Sequence, residues 1–149
     1  MVSSNETEPP VYLYLAGNAG TGKSFLTNVM IEAVKSMKIK AGDELNKPPV
    51  IVMAPTANAA HIVCGKTIDS VLGFNPLDVN HYTQTDDRRL SMMKFQYENV
   101  KAIFCDEISM VGSMKLSKIN FRFQDIADGD KKKNFMGGIS FIASGDFLI

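Results

Sequence analysis

The chain carries no net charge, with sixteen lysines and arginines set against sixteen aspartates and glutamates. A dedicated nucleic-acid module would be more basic, so any contact with a polyanion has to be local rather than spread over the surface. Cysteine is scarce: Cys64 and Cys105 are the only two among 149 residues, and each lies in or beside an apolar run. That excludes a disulfide framework and points to a reduced, intracellular setting. Histidine is equally scarce, and His61 and His81 have no neighbouring Cys or His at metal-ligand spacing, which argues against a zinc site. No apolar run approaches the ~20 residues that would span a bilayer, so no membrane association is expected. Residues 1–10 are polar, end in two prolines and read as a disordered tail, neither secretory signal nor anchor. Internal repeats and long low-complexity stretches are absent as well.

What remains is an ordinary globular balance, 45% hydrophobic and 21% charged, in a length that suits one domain with its own core. Four short apolar runs stand out, at residues 11–16, 50–54, 102–105 and 139–144. Each is continuous rather than alternating, which predicts strands buried on both faces of a parallel sheet. Between them lie segments with helical spacing. Residues 23–37 carry Phe25, Leu26, Val29, Met30, Ala33, Val34 and Met37 on one face. Residues 56–64 form a shorter alanine-rich candidate, and 114–126 repeats apolar Leu116, Ile119, Phe123 and Ile126. Residues 40–49, 75–89 and 128–134 read as loops. Alternation of strand and helix predicts an α/β doubly wound, mostly parallel sheet over residues 11–149. Right-handed crossovers bring the C-terminal end of every strand to one edge, where function is expected.

The first apolar run leads into Gly17-Asn18-Ala19-Gly20-Thr21-Gly22-Lys23-Ser24. This is the full G-x-x-x-x-G-K-[ST] pattern, set between a strand and a helix as its mechanism demands. The glycines let successive backbone N–H groups turn toward a phosphate, and the helix that follows adds the positive end of its dipole. Lys23 is expected to reach the β- and γ-phosphates of a nucleoside triphosphate, and the Ser24 hydroxyl to hold Mg2+. Gly17, Ala19, Gly20, Thr21, Gly22, Lys23, Ser24 and Phe25 are therefore the candidate nucleotide-binding residues. The third run ends in Asp106-Glu107, which a parallel strand delivers to the same edge. Asp106 is expected to hold Mg2+ through water, and Glu107 to orient and deprotonate the attacking water. The fourth run ends in Ser144-Gly145-Asp146, where Asp146 is a further candidate near the γ-phosphate; Gly-Asp after a strand also reads as a plain turn.

These blocks occur in a fixed order with three others: Ala54-Pro55-Thr56-Ala57-Asn58-Ala59-Ala60, Gly65-Lys66-Thr67-Ile68-Asp69-Ser70, and Asp106-Glu107-Ile108-Ser109-Met110-Val111. With the closing Phe135-Met136-Gly137-Gly138 and Gly145-Asp146-Phe147, they resemble the superfamily-one helicases of the Pif-one group, which includes those of Helitron transposons. The resemblance covers nearly all of residues 11–147. It implies a RecA-like first motor domain of an ATP-dependent, 5′-to-3′ DNA helicase acting in repair, recombination or telomere maintenance. It also implies ATP and Mg2+ as cofactors, single-stranded DNA as partner, and a nuclear or mitochondrial location. By match, Pro55, Thr56, Thr67 and Ser70 are the candidate DNA contacts, through hydroxyls and backbone N–H groups that grip phosphates without reading sequence. Thr56 reads equally as the cap of the helix after the second strand.

Three departures accompany the resemblance. Position 69 is Asp where the family has His; Ile149 stands where the family has a glutamine that senses the γ-phosphate; and no glutamine motif precedes the first strand. The expectation is a partial, monomeric motor domain whose catalytic arginine and second motor lie elsewhere, so that hydrolysis by the chain alone is very slow. A nucleotide-binding switch without unwinding activity is the alternative reading. A small-molecule kinase fits less well, for want of a lid arginine cluster. Lys131, Lys132 and Lys133 read as a solvated turn and the nine methionines as core filler. Packing likewise accounts for Tyr82 and Tyr97.

Overall fold

A computed structural model describes residues 9–38, 47–78 and 81–146. Five strands form one sheet: β1 (Tyr12–Ala16), β2 (Val50–Ala54), β3 (Lys66–Thr67), β4 (Ala102–Cys105) and β5 (Ser140–Gly145). Their order is β1-β5-β4-β2-β3, and every pairing is parallel. Helix α1 (Lys23–Lys38) follows β1, α2 (Ala57–Ile62) follows β2, and α3 (Ile68–Leu72) follows β3. Helices α4 (Asp87–Tyr97) and α5 (Ser113–Ile126) flank β4 in the chain. The doubly wound α/β fold read from the sequence is thus the observed one.

The two faces of the sheet separate by residue parity, as a period-two strand requires. Val50, Ala102, Phe104 and Ile142 pack with Ile31 against α1. Ile51, Met53, Ile103, Cys105, Phe141 and Ala143 face the other way and share a core with residues of α3, α4 and α5. Phe104, Phe123, Met53 and Ile103 are fully buried. That second layer holds most of the apolar side chains, so it carries most of the hydrophobic stabilisation.

Strand β1 departs from the expectation of burial on both faces. Val11, Tyr12, Leu13 and Tyr14 are exposed. The cause is position: β1 is an edge strand paired with β5 alone. Phe25, Leu26 and Val29 on α1 are exposed for the same reason, since half of the apolar stripe read over residues 23–37 has no layer to meet. The segment 75–89, read as a surface excursion, ends sooner than expected. Asp86 caps α4 by accepting from the backbone N–H of Arg89 at 2.9 Å. Helix α4 escaped the periodicity reading because charged residues fill its first turn and only Met93 and Tyr97 are buried. The short β3 and α3 were equally invisible, being two and five residues long.

The loop expected at 40–49 and the tail expected at 1–10 fall largely outside the described residues. The turn at 128–134 is a fully exposed 3-10 stretch over Gly129–Lys133, as its lysines require. Among the described residues no helix is long and apolar enough to cross a membrane.

Burial raises several acidic protons. The Cys105 thiol is pushed up to about 12 by burial and then by the neighbouring Asp106 charge. Tyr97 rises through burial, and Tyr82 through burial and its hydrogen bond to Asp125. A raised pKa favours the protonated form in the folded state, so this stability is complete below the ordinary pKa and lost as pH climbs toward the folded one. Urea midpoints should therefore fall as pH rises above 9.0, the ordinary thiol value, toward about 12. Cys105→Ala should reduce that slope. A midpoint that stays level across this range would contradict the burial of these groups.

Candidate functional site

The carboxyl ends of β1, β5 and β4 lie side by side, and β5 stands in the middle. The loop after β1, the Ser144-Gly145-Asp146 end of β5 and the Asp106-Glu107 end of β4 therefore meet along one edge. Gly20 and Gly22 adopt φ of 79° and 88°, a region where a side chain would strain the loop. A Cβ at Gly17 would come within 2.8 Å of Thr21 Oγ1. Thr21 in turn closes the loop by donating its hydroxyl to the Asn18 carbonyl at 2.8 Å.

Lys23 opens α1 and turns back into this loop. Its Nζ donates to the carbonyls of Gly17 and Asn18, each at 2.8 Å, and to Asp146 Oδ1 at 2.6 Å. The ammonium thus sits at the focus of the glycine loop, where a phosphate would exchange its oxygens for those carbonyls. Asp146, read as a residue near the γ-phosphate, is ion-paired to Lys23 in this arrangement. Its half-exposed carboxylate makes that pair easy to exchange.

Asp106 is 4% exposed and held by hydroxyls. Ser144 Oγ donates to Asp106 Oδ1 at 2.6 Å, and Ser24 Oγ to Oδ2 at 3.4 Å. Thr27 on α1 contacts Ser144 Oγ at 3.4 Å. Ser24 and Asp106, the two residues read as magnesium ligands, are therefore brought together. Among the described residues no cluster of three or more His, Cys, Asp or Glu could hold a metal ion. A cavity of about 370 Å³ opens here, bounded by Gly20, Lys23, Ser24, Phe25, Glu107 and Asp146. Phe25 is 75% exposed beside it, free to lie against a base or sugar. Thr27 was not singled out as a site residue, and Ser144 only as the small polar residue that accompanies Asp146 near the γ-phosphate. Ser144 left a trace, a hydroxyl at the end of an apolar run, but its partner depends on strand order.

Glu107 also borders the cavity, and its backbone is left-handed, with φ 53° and ψ 40°. Such a conformation costs a non-glycine residue ~1–3 kcal/mol and concentrates at functional sites.

The second group of candidates also converges. Strand β3 pairs with the end of β2, with Met53 opposite Lys66 and Ala54 opposite Thr67. The strand that leads into Pro55 and Thr56 therefore ends beside Thr67, which caps α3 ahead of Ser70. Thr56 accepts from the Ala59 N–H, and Thr67 from the Ser70 N–H, each at 3.3 Å. Both threonines are helix caps, and each hydroxyl keeps a proton to donate outward. Asp69 does not stand as a free acid among them. Lys115 of α5 binds it, with Nζ 2.8 Å from Oδ1 and 2.9 Å from Oδ2.

Relief of the backbone strain gives a test of this geometry. Glu107→Gly should stabilise the chain by ~1 kcal/mol in urea unfolding, because glycine adopts the left-handed region freely. Equal or lower stability would show that the Glu107 side chain offsets its strain through contacts of its own.

The sequence profile of the PIF1-like helicase family matches residues 1–149. The chain is 32% identical over 138 residues to the ATP-dependent DNA helicase PIF1 of Saccharomyces cerevisiae, covering 91% of this chain and 15% of that protein. Its fold matches the crystal structure of Pif1 helicase from Candida albicans with a TM-score of 0.70 and 28% identity, over 92% of this chain and 29% of the other. It also matches Pif1 helicase from Bacteroides in complex with ADP-AlF3 and ssDNA, with a TM-score of 0.62 and 25% identity over 95% of this chain and 29% of that one. The chain thus spans between 15% and 29% of the length of these relatives. On the profile match over its whole length, together with these likenesses, the chain belongs to the PIF1-like helicase family.

Proposed function

We propose that the chain is the ATP-binding and hydrolysing part of a motor that moves 5′ to 3′ along single-stranded DNA, in repair, recombination or telomere maintenance. The observation that carries this reading is the convergence of Lys23, Ser24, Glu107 and Asp146 on one cavity at the sheet edge, with the buried Asp106 hydrogen-bonded to Ser24 beside it. The glycine loop and Lys23 bind the triphosphate. Ser24 and Asp106 hold Mg2+, which would neutralise charge on the phosphate oxygens. Glu107 orients the attacking water and takes its proton. The Asp146 carboxylate, released from Lys23 when phosphate enters, is positioned to respond to the γ-phosphate. The names of the relatives support ATP as the nucleotide, and a neighbour solved with ADP-AlF3 and ssDNA supports both ligands.

Pro55, Thr56, Thr67 and Ser70 form the strand-gripping edge in this reading. The switch alternative draws on Asp69 as an acid in the DNA path and on Ile149 in place of the sensor glutamine. The ion pair of Asp69 with Lys115 answers the first and supports the motor, and Ile149 lies outside the described residues. Such activity places the protein where DNA is, in the nucleus or a mitochondrion.

Equilibrium binding of a fluorescent ATP analogue with Mg2+ tests the nucleotide site. Lys23→Ala removes a charged hydrogen-bond donor, so affinity should fall roughly 10-fold or more. Unchanged affinity in the variant would refute the assignment. For the strand-gripping edge, Lys115→Ala frees the Asp69 carboxylate and should weaken oligonucleotide binding by roughly 5-fold at low salt. Adding Asp69→Asn to that variant should restore it. If the double variant stays as weak as the single one, Lys115 contacts the strand itself and the Asp69 argument fails.

A further inference from the structure

On the face of the sheet away from α1, a cavity of about 130 Å³ lies between the end of α3, residues 74–78 and 81–85, and α5. Arg122 and Lys118 of α5 line it, and both are buried, at 2% and 7% exposure. The Arg122 guanidinium lies between two rings, 5.4 Å from the Phe74 centroid and 5.2 Å from that of Tyr82. Its Nη2 donates to the Thr83 carbonyl at 3.4 Å, a long bond. Nε and Nη1 are buried and have no acceptor. The Lys118 ammonium donates to the Asp78 carbonyl, which leaves two of its three protons. Among the described residues no carboxylate forms an ion pair with either cation. Asp125, one turn along α5, accepts from the Tyr82 hydroxyl instead.

Two buried positive charges without an anion are costly, since burial of a charge is offset only by pairing and a full set of hydrogen bonds. Stacking on two aromatic faces offsets part of this and leaves the N–H donors unmet. The cavity has room for about four waters at ~30 Å³ each, or for one tetrahedral oxyanion. Its free donors lie on different edges of the guanidinium and on a separate ammonium. A phosphate, with acceptors in several directions, matches such a set better than a planar carboxylate.

We propose that this cavity is an anion site that takes one phosphate group, free or carried on a nucleic-acid strand. The site stands apart from the glycine loop. Its link to a strand is α3, which runs from Thr67 and Ser70 to Gly73 at the cavity wall. Five residues of helix rise ~7.5 Å, about the reach of one nucleotide. Only the strand-borne source of the phosphate rests on the DNA reading proposed above.

The test follows the Arg122 Nε–H resonance in 1H–15N spectra of the whole 149-residue chain carrying Lys23→Ala. That background weakens the phosphate loop, so its failure and the failure of this site are read separately. Arg122→Lys assigns the peak. Inorganic phosphate should move it saturably, with a Kd on the order of 1 mM, where chloride at equal ionic strength does not. Phosphate should also raise the melting temperature, and Arg122→Met should abolish that rise. A short oligothymidylate that moves the same resonance identifies a strand phosphate as the ligand. Movement with inorganic phosphate alone identifies a free one. A resonance that responds to neither more than to chloride overturns the proposal, and means that water satisfies Arg122. The titrated chain keeps Arg122 and the assignment uses only the conservative Arg122→Lys, so the spectral result stands even if Arg122→Met unfolds.

Discussion

Insertion of β5 between β1 and β4 is the constraint on which the rest of the molecule depends. Parallel pairing sets the ends of three strands at one level, and β5 contributes the middle one. Ser144 and Asp146, two residues apart at its end, therefore reach different partners: Ser144 binds Asp106 beside β4, and Asp146 binds Lys23 after β1. One strand end thus couples the phosphate loop to the acidic pair. Were β1 and β4 direct neighbours, the loop and the carboxylates would still meet, but nothing would report between them.

Stability and function draw on different parts of this frame. The core under α3, α4 and α5 holds the large buried side chains, while the site sits at the edge where loops are short and glycine-rich. Left-handed non-glycine backbone occurs at this edge, in Glu107 beside the nearly closed-off Asp106, and away from it, in Cys64 and Met136. A left-handed glutamate is a poor choice for stability alone.

Charge shows the same division. The chain is neutral as a whole, yet buried cations and acids are arranged locally and differently. At the edge that carries Thr56 and Thr67, Lys115 pairs with Asp69 and cancels its charge. In the α5 cavity Arg122 and Lys118 have no such partner among the described residues. Net charge conceals both facts, because it sums over positions that the fold holds apart.

Much of this was legible in the sequence. The glycine loop, the strand leading into it and the helix leaving it follow from residues 11–37 alone, because the φ demands of Gly20 and Gly22 and the charge of Lys23 are local properties. Continuous apolar runs likewise marked β2, β4 and β5, since parallel strands between two helical layers need apolar residues on both faces. The same rule misjudged β1, whose Tyr12-Leu13-Tyr14 run is apolar yet exposed, because composition cannot tell an edge strand from a central one. Helix α4 was missed because a helix that buries only Met93 and Tyr97 has almost no periodic signal. What the tertiary structure alone decided is adjacency: strand order joins Ser144 to Asp106, a two-residue β3 joins Ala54 to Thr67, and α5 carries Lys115 to Asp69 across 46 residues. Local sequence fixes the conformation a segment prefers, whereas such pairings depend on which segments the shared core forces to touch.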